Sequence, residues 1–214
     1  MTKEKTTIEV ETNLEPMRDI EAENQYALFM QRNKNELTSI IECLEYFNPS
    51  IAKKINLVGS ISARLGGILG IKDSEFYLAG YYANLSLLSM QDLAFKAEFL
   101  NDKEFETYKR HTILSSEFLK HKGLLKASNY ALNHHEKPDA SGYFSKQSYP
   151  MESALINIAD VFENCISLSF HRPKYTLDEA LEKTLSVYSN ELILNKSQIL
   201  EIKQELVKIY DEAK

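Results

Sequence analysis

Side chains that could bind a metal ion gather in one short stretch near the middle of the chain. Residues 133–144 read Asn-His-His-Glu-Lys-Pro-Asp-Ala-Ser-Gly-Tyr-Phe. Because imidazole nitrogens are common ligands of transition metals, the adjacent His134 and His135 are candidates for a metal site. Neighbouring side chains on a helix point about 100° apart. Both histidines can therefore reach one ion only if a helix ends beside a central pocket and the following loop folds back over it.

This stretch resembles the signature of HD-GYP domains, a family of helical, metal-dependent phosphohydrolases that degrade cyclic di-GMP in bacterial signalling. The family's closing Gly-Tyr-Pro reads Gly142-Tyr143-Phe144 here. Two later segments, residues 149–162 and 171–181, resemble the family's "ADVFDA" helix and its "RPYR…EEAL" stretch. The resemblance implies an all-α fold, a single HD-domain-like helical bundle.

The resemblance also implies a set of metal ligands. His111 matches the family's single histidine between the HD helix and the signature, and Asp160 matches its late aspartate. Together with His134 and His135, these are the candidate ligands of one divalent metal, whether iron, manganese or zinc. Asp160 would belong mainly to the family's neighbouring ion, which this sequence is expected to have lost. A metal-free site with vestigial histidines stays open as the alternative.

Other positions match parts of the family that contact the nucleotide or shape the signature loop. The family's phosphate-contacting positions fall on Glu163, Arg172 and Lys174. The residues expected to shape the loop are Glu136, Asp139, Ser141, Gly142 and Tyr143.

Four functional positions of the family are lost in this chain. Counting back from a Leu-Gly-Ile string places the family's first histidine at about Lys53, and the HD pair falls on Ala83 and Asn84. The family's phosphate-contacting lysine falls on Leu87, and no histidine precedes His111 in this chain. Bridging two divalent ions needs carboxylates, because an imidazole nitrogen has one lone pair to give. We therefore expect a degenerate member that lacks the HD pair.

Three functions stay open, and no catalytic residue is assigned. The first is a catalytically inactive binding or regulatory module, which acts through cyclic di-GMP, another signalling protein or a second copy of itself. The second is an active cyclic di-GMP phosphodiesterase with a reduced metal site, in which one ion acts as a Lewis acid. The third is a scaffold whose acidic N-terminal helix makes the contacts while the pocket holds no ligand.

The elements that would position these residues are helices. We expect a flexible acidic tail over 1–19, an N-terminal amphipathic helix over 20–47, and an HD-GYP-like domain over 48–214. Apolar spacing typical of helices recurs along that domain, and no alternating strand pattern is present. The helices are expected at about 50–69, 74–88, 102–121, 124–135, 150–170, 177–188 and 197–212.

Met30, Leu37 and Leu44 fall at a seven-residue interval in the N-terminal helix. This spacing fits either packing on the helix's own domain or the seam of a homodimer.

Composition excludes some classes of protein. The chain has 214 residues and a net charge of −6, of which residues 1–50 carry −5, so nucleic acid held by a broad basic face is not expected. No apolar run approaches eighteen residues, which predicts neither a membrane span nor a signal peptide. Cys43 and Cys165 lie in apolar helical patterns, so we expect buried thiols in a reducing cytoplasm.

Overall fold

The computed structural model describes residues 20–167 and 174–212, and these residues form helices without any strand. The predicted tail over 1–19 and Arg172 lie outside this part of the chain. The all-α prediction is confirmed for what is described. The α-helices are α1 (Ile20–Phe47), α2 (Pro49–Ile68), α3 (Ser74–Tyr82), α4 (Gln91–Ala94), α5 (Asp102–His121), α6 (Leu125–Leu132), α7 (Met151–Ile166), α8 (Leu177–Leu185) and α9 (Lys196–Glu212), with 3₁₀ turns at Leu85–Met90 and Ser186–Tyr188.

Side-chain caps mark where several helices begin. The Asp73 carboxylate accepts a hydrogen bond from the backbone N–H of Glu75, which satisfies a donor in the first turn of α3. Thr176 and Glu179 form the reciprocal capping box that their spacing predicts at the start of α8. These starts depend on neighbours in sequence, so local patterns predict them well.

The apolar stripe of α1 packs on its own domain. Met30 and Leu37 are 4% exposed and belong to the main core, while Leu44 joins a second apolar cluster with Ile51 and Ile55. The three residues that suggested a homodimer seam are therefore not available for one. Cys43 lies off this stripe and is exposed, so the prediction of a buried thiol is wrong there.

Helix α7 runs through the centre of the bundle. Its Leu155, Ile158 and Phe162 are fully buried, and α2, α6 and α8 pack around it. Cys165, also on α7, is buried as expected, and neither cysteine forms a disulfide within the described residues. No helix in the described ranges combines the length and apolar character that crossing a bilayer requires.

Helices α3, α6, α7 and α8 end earlier than predicted, and polar contacts lie at the ends of the first two. Helix α6 stops at Leu132 rather than at His135, and Asn133 beyond it donates its side-chain amide to the backbone carbonyl of Asn129. Helix α3 ends at Tyr82 rather than at residue 88, and a 3₁₀ turn follows over Leu85–Met90. There the hydroxyl of Ser86 donates to the backbone carbonyl of His111. The Asn133 side chain thus bonds to the end of its own helix, a local competition that apolar spacing does not register. The Ser86 hydroxyl instead joins the 3₁₀ turn to α5.

Candidate metal centre

Three histidines meet in one buried cluster. His111 lies on α5, and His134 and His135 lie in the turn that follows α6. The Nε2 atoms of His111 and His134 are 3.4 Å apart, and one ligand nitrogen from each of the three residues lies within 4.8 Å of the others. His111 and His134 are fully buried. We refer to these three residues as the histidine cluster.

Backbone carbonyls hold two of the rings in a defined tautomer. The Nδ1 atom of His111 donates to the carbonyl of Tyr108 at 2.8 Å, and the Nδ1 atom of His134 donates to the carbonyl of Ala131 at 2.6 Å. In a neutral ring this leaves the lone pair on Nε2. Burial, with the neighbouring His134, lowers the pKa of His111 to about 3, and burial also lowers the pKa of His134 and His135. The neutral rings of His111 and His134 therefore present the lone pairs of their Nε2 atoms to each other.

This geometry fits one transition-metal ion. Two nitrogens that bind a tetrahedral ion at about 2.0–2.1 Å lie about 3.4 Å apart. The Nε2 atoms of His111 and His134 have this separation. A donor set of imidazoles suits zinc or iron, and a cation between the facing lone pairs would remove their mutual repulsion.

A carboxylate lies beside the cluster, and its oxygens are already occupied. The Oδ1 atom of Asp160 accepts from Lys54 Nζ at 2.8 Å and from Asn84 Nδ2 at 2.9 Å. Its Oδ2 atom accepts from Asn164 Nδ2 at 3.1 Å and lies 4.0 Å from Nε2 of His135. Burial alone would raise the pKa of Asp160, but the charge and hydrogen bond of Lys54, together with the neighbouring His135 and His134, hold the pKa well below its usual range. Asp160 is therefore ionised.

Lys54 is the cation on this side of the site. Its Nζ atom lies 2.8 Å from Asp160 Oδ1, 2.9 Å from Glu163 Oε2 and 3.1 Å from Asn164 Oδ1. Burial would lower its pKa, but Asp160 and Glu163 outweigh burial and raise the pKa above its usual value. We refer to these three oxygens as the oxygen cluster, which holds a charged ammonium.

Sequence analysis did not single out Lys54. The count from the Leu-Gly-Ile string pointed to about Lys53, which is exposed, whereas its neighbour Lys54 faces α7. A helix turns each successive side chain by about 100°, so two adjacent lysines meet different surroundings. The adjacent lysines in α2 were the available signal, and only the packing of α2 on α7 separates them.

The other three departing positions lie in different surroundings. Asn84 reaches Asp160, and its Oδ1 atom is buried without a hydrogen-bond partner among the described residues. Ala83 is fully buried in the main core, and Leu87 is buried in the second apolar cluster. Asn84 thus places an N–H donor on the site's carboxylate.

The signature loop folds back over the histidines. The fully buried Glu136 accepts from the backbone N–H groups of Phe144 and Lys146, both at 2.8 Å. The backbone N–H of Tyr143 donates to the carbonyl of His135 at 3.2 Å, and the two rings stack with centroids 4.4 Å apart. The arrangement expected of the His-His pair, a helix end covered by its own loop, is present.

Two contacts shape the rest of this loop. Asp139 Oδ1 accepts from the backbone N–H of Ser141 at 3.0 Å and from its hydroxyl at 2.7 Å, which closes a tight turn. A Cβ atom added to Gly142 would lie 2.4 Å from the Cα of Glu136 and 2.7 Å from the carbonyl oxygen of His135. Only glycine permits this approach of loop to helix end.

The described residues that were predicted to contact phosphate, Glu163 and Lys174, differ in burial. Glu163 is buried in the site, where it accepts from Lys54 and from the Ser167 hydroxyl at 2.5 Å. Lys174 is exposed at the start of the second described range. Arg172 belongs to residues 168–173, outside the described ranges.

The chain matches known families and proteins. A family model described as an HD domain matches residues 24–190. A cyclic di-GMP phosphodiesterase of Thermotoga maritima is 25% identical over 194 residues, covering 84% of this chain and 52% of that protein. The cyclic di-GMP phosphodiesterase response regulator RpfG of Xanthomonas campestris pv. campestris is 23% identical over 161 residues, covering 71% and 43%. The chain thus spans about half the length of these relatives, or less.

The fold has a counterpart among solved structures. The HD domain of the phosphodiesterase PgpH from L. monocytogenes superposes with a TM-score of 0.59 at 14% identity. The superposition covers 80% of this chain and 97% of the PgpH chain. At this identity the likeness establishes the helical architecture.

Proposed function

This chain belongs to the HD domain family, and on that premise we propose that it binds cyclic di-GMP at a one-ion site without hydrolysing it. In this role the protein is a degenerate, regulatory member of the family. A partner protein in signalling recognises its ligand-bound state. The choice of ligand is supported by relatives that are named cyclic di-GMP phosphodiesterases.

The observation that carries the proposal is that the histidine cluster has lone pairs available for a metal ion, whereas the oxygen cluster is already occupied by Lys54. The neutral rings of His111 and His134 carry lone pairs on Nε2, close to a ligand nitrogen of His135. Beside it, Asp160 is already bonded to Lys54, Asn84 and Asn164. Two-ion hydrolysis uses a pair of metals to stabilise both the attacking and the leaving oxygen. Because Asp160 is engaged in this way, it is not available to bridge an ion at the histidines to a second ion.

The residues of the site would then have different roles in binding. His111, His134 and His135 would hold the ion, which supplies positive charge to a phosphate oxygen of the ligand. Tyr143 covers the cluster through its stack on His135. Glu163 is assigned to holding Lys54, because that contact already engages its carboxylate.

Arg172 and Lys174 are proposed to contact the ligand's phosphates. The planar guanidinium of arginine matches a phosphate with two parallel hydrogen bonds, whereas lysine contributes a point charge.

The test is calorimetric titration of cyclic di-GMP into the full chain with MnCl₂, and again with EDTA. We expect heat of binding in MnCl₂ that disappears in EDTA and in His134→Ala. His121→Ala, which removes an exposed histidine at the end of α5, serves as the matched control and should bind like the wild type. Absence of binding in Mn²⁺, Fe²⁺ and Zn²⁺, or binding unaffected by EDTA and by His134→Ala, would overturn the proposal.

Hydrolysis with a single ion is the second candidate. The observation that favours it is the preformed histidine cluster, since one bound ion can lower the pKa of a water molecule and act as a Lewis acid. Product formation from cyclic di-GMP separates the two candidates.

A further inference from the structure

The side chain of Lys54 sits where the surrounding atoms would suit a metal ion. Its ammonium group has three N–H donors and meets the three oxygens of the oxygen cluster, from Asp160, Glu163 and Asn164, at 2.8–3.1 Å. Carboxylate and amide oxygens are the ligands that magnesium and manganese prefer. We infer that the oxygen cluster is a latent divalent-cation site whose cation, in this chain, is the ammonium group of Lys54.

The charges of the buried groups support this assignment. Asp160 is 3% exposed and Glu163 is 5% exposed, so both carboxylates need a positive charge close by. Lys54 supplies one positive charge to the two negative ones. Removing the ammonium group would leave two buried carboxylates without the cation that now lies between them.

A neighbouring buried atom is left without a partner. Asn84, 1% exposed, donates its Nδ2 to Asp160 Oδ1, which fixes the orientation of the amide. Its own Oδ1 is buried and has no hydrogen-bond partner among the described residues, so the ammonium group of Lys54 does not satisfy it. A buried amide oxygen without a donor costs stability, which is the mark of a polar site that its present cation fills incompletely.

Lys54 also prevents a second ion from binding beside the histidine cluster. Its three donors are all used by the oxygen cluster, which leaves none for a ligand's phosphate. Asp160 Oδ2 lies only 4.0 Å from Nε2 of His135, so a second ion at the oxygen cluster would be the neighbour of an ion at the histidines. By occupying that place, Lys54 limits the centre to one ion.

The experiment compares Mn²⁺ binding by wild type and Lys54→Ala, using equilibrium dialysis followed by elemental analysis. Removing the side chain frees both the charge and the space, so we expect Lys54→Ala to bind one more Mn²⁺ per chain than wild type. MnCl₂ should also raise the melting temperature of Lys54→Ala more than that of wild type. Lys53→Ala, at the exposed neighbour, should match wild type in both measurements.

A second variant protects the test against misfolding of the first. Lys54→Gln removes the charge but keeps an amide donor for the carboxylates and adds an oxygen ligand, so it too should gain one Mn²⁺. The inference is overturned if the folded variants bind no more Mn²⁺ than wild type, or if Lys53→Ala gains the same ion. The readout is a difference from wild type, so it does not depend on the proposed ion at the histidines. Failure of that proposal would appear instead as a wild type without any bound ion.

Discussion

Which ring nitrogen carries the proton decides what the histidine cluster can bind. His111 and His134 donate hydrogen bonds from Nδ1–H to backbone carbonyls. The lone pairs on their Nε2 atoms therefore face each other across 3.4 Å. These backbone partners also orient the rings, as outer-shell partners do in established metal sites. The cluster is thus arranged for a cation by local hydrogen bonds that exist without one.

Removing one ring should remove the ion. His111→Ala takes away a buried ligand whose Nε2 faces His134, so we expect a loss of Mn²⁺ or Zn²⁺ affinity larger than the roughly 10–100-fold that losing an outer-shell partner costs. Calorimetric titration of the metal alone measures it. His121→Ala is the control, and equal affinity in His111→Ala and wild type would show that the ion lies elsewhere.

At the scale of elements, the site depends on the signature loop returning to the end of α6. Glu136 anchors the returning segment of the loop through two backbone N–H groups, and Gly142 allows the two backbone segments to come into contact. Tyr143 reaches His135 only because of this approach. The loop therefore links the helix end to the histidine cluster.

Gly142→Ala should disturb this link. Its added methyl would lie 2.4 Å from the Cα of Glu136, an overlap with backbone that a side-chain rotation cannot relieve. We expect a loss of about 1–3 kcal/mol in the free energy of unfolding, typical of overpacking, together with weaker metal binding. Urea unfolding and metal titration measure the two effects.

Gly67→Ala is the matched control for the same change. Nothing lies within 4 Å of a Cβ atom at Gly67, which is helical, so this variant should be as stable as wild type or more stable by roughly 0.5–1 kcal/mol. A Gly142→Ala protein as stable as Gly67→Ala would mean that the loop has room to move.

Helix α1 should contribute to the stability of the whole bundle. Leu37 is buried in the main core, so Leu37→Ala should lower the free energy of unfolding by about 2–5 kcal/mol. Leu28, on the same helix, is 72% exposed, and Leu28→Ala should change it by no more than about 0.5 kcal/mol. Similar urea midpoints for both variants would show that α1 is an independent appendage.

At the scale of the whole molecule, some features followed from sequence and others required the packing. The HD-type resemblance and the all-α fold are confirmed, because a long signature and amphipathic spacing are local properties. The role of Lys54 was missed because it depends on how α2 is rotated against α7. The end of α6 was misplaced because a side-chain contact of Asn133 outweighs helical spacing.

The division of the centre gives the molecule its proposed role. In the proposed function, a filled oxygen cluster beside a histidine cluster would let the protein hold one ion and a phosphate without the second ion of the two-metal reaction. The HD-domain fold would then serve recognition of the ligand and not its hydrolysis.

The most direct test is the chromatographic analysis of cyclic di-GMP after incubation with the protein in Mn²⁺ or Fe²⁺. It should be run at concentrations where calorimetry shows the ligand bound. We predict that the cyclic dinucleotide is recovered intact while it remains bound. Metal-dependent appearance of a linear product, lost in His134→Ala, would contradict the account and establish a one-ion phosphodiesterase.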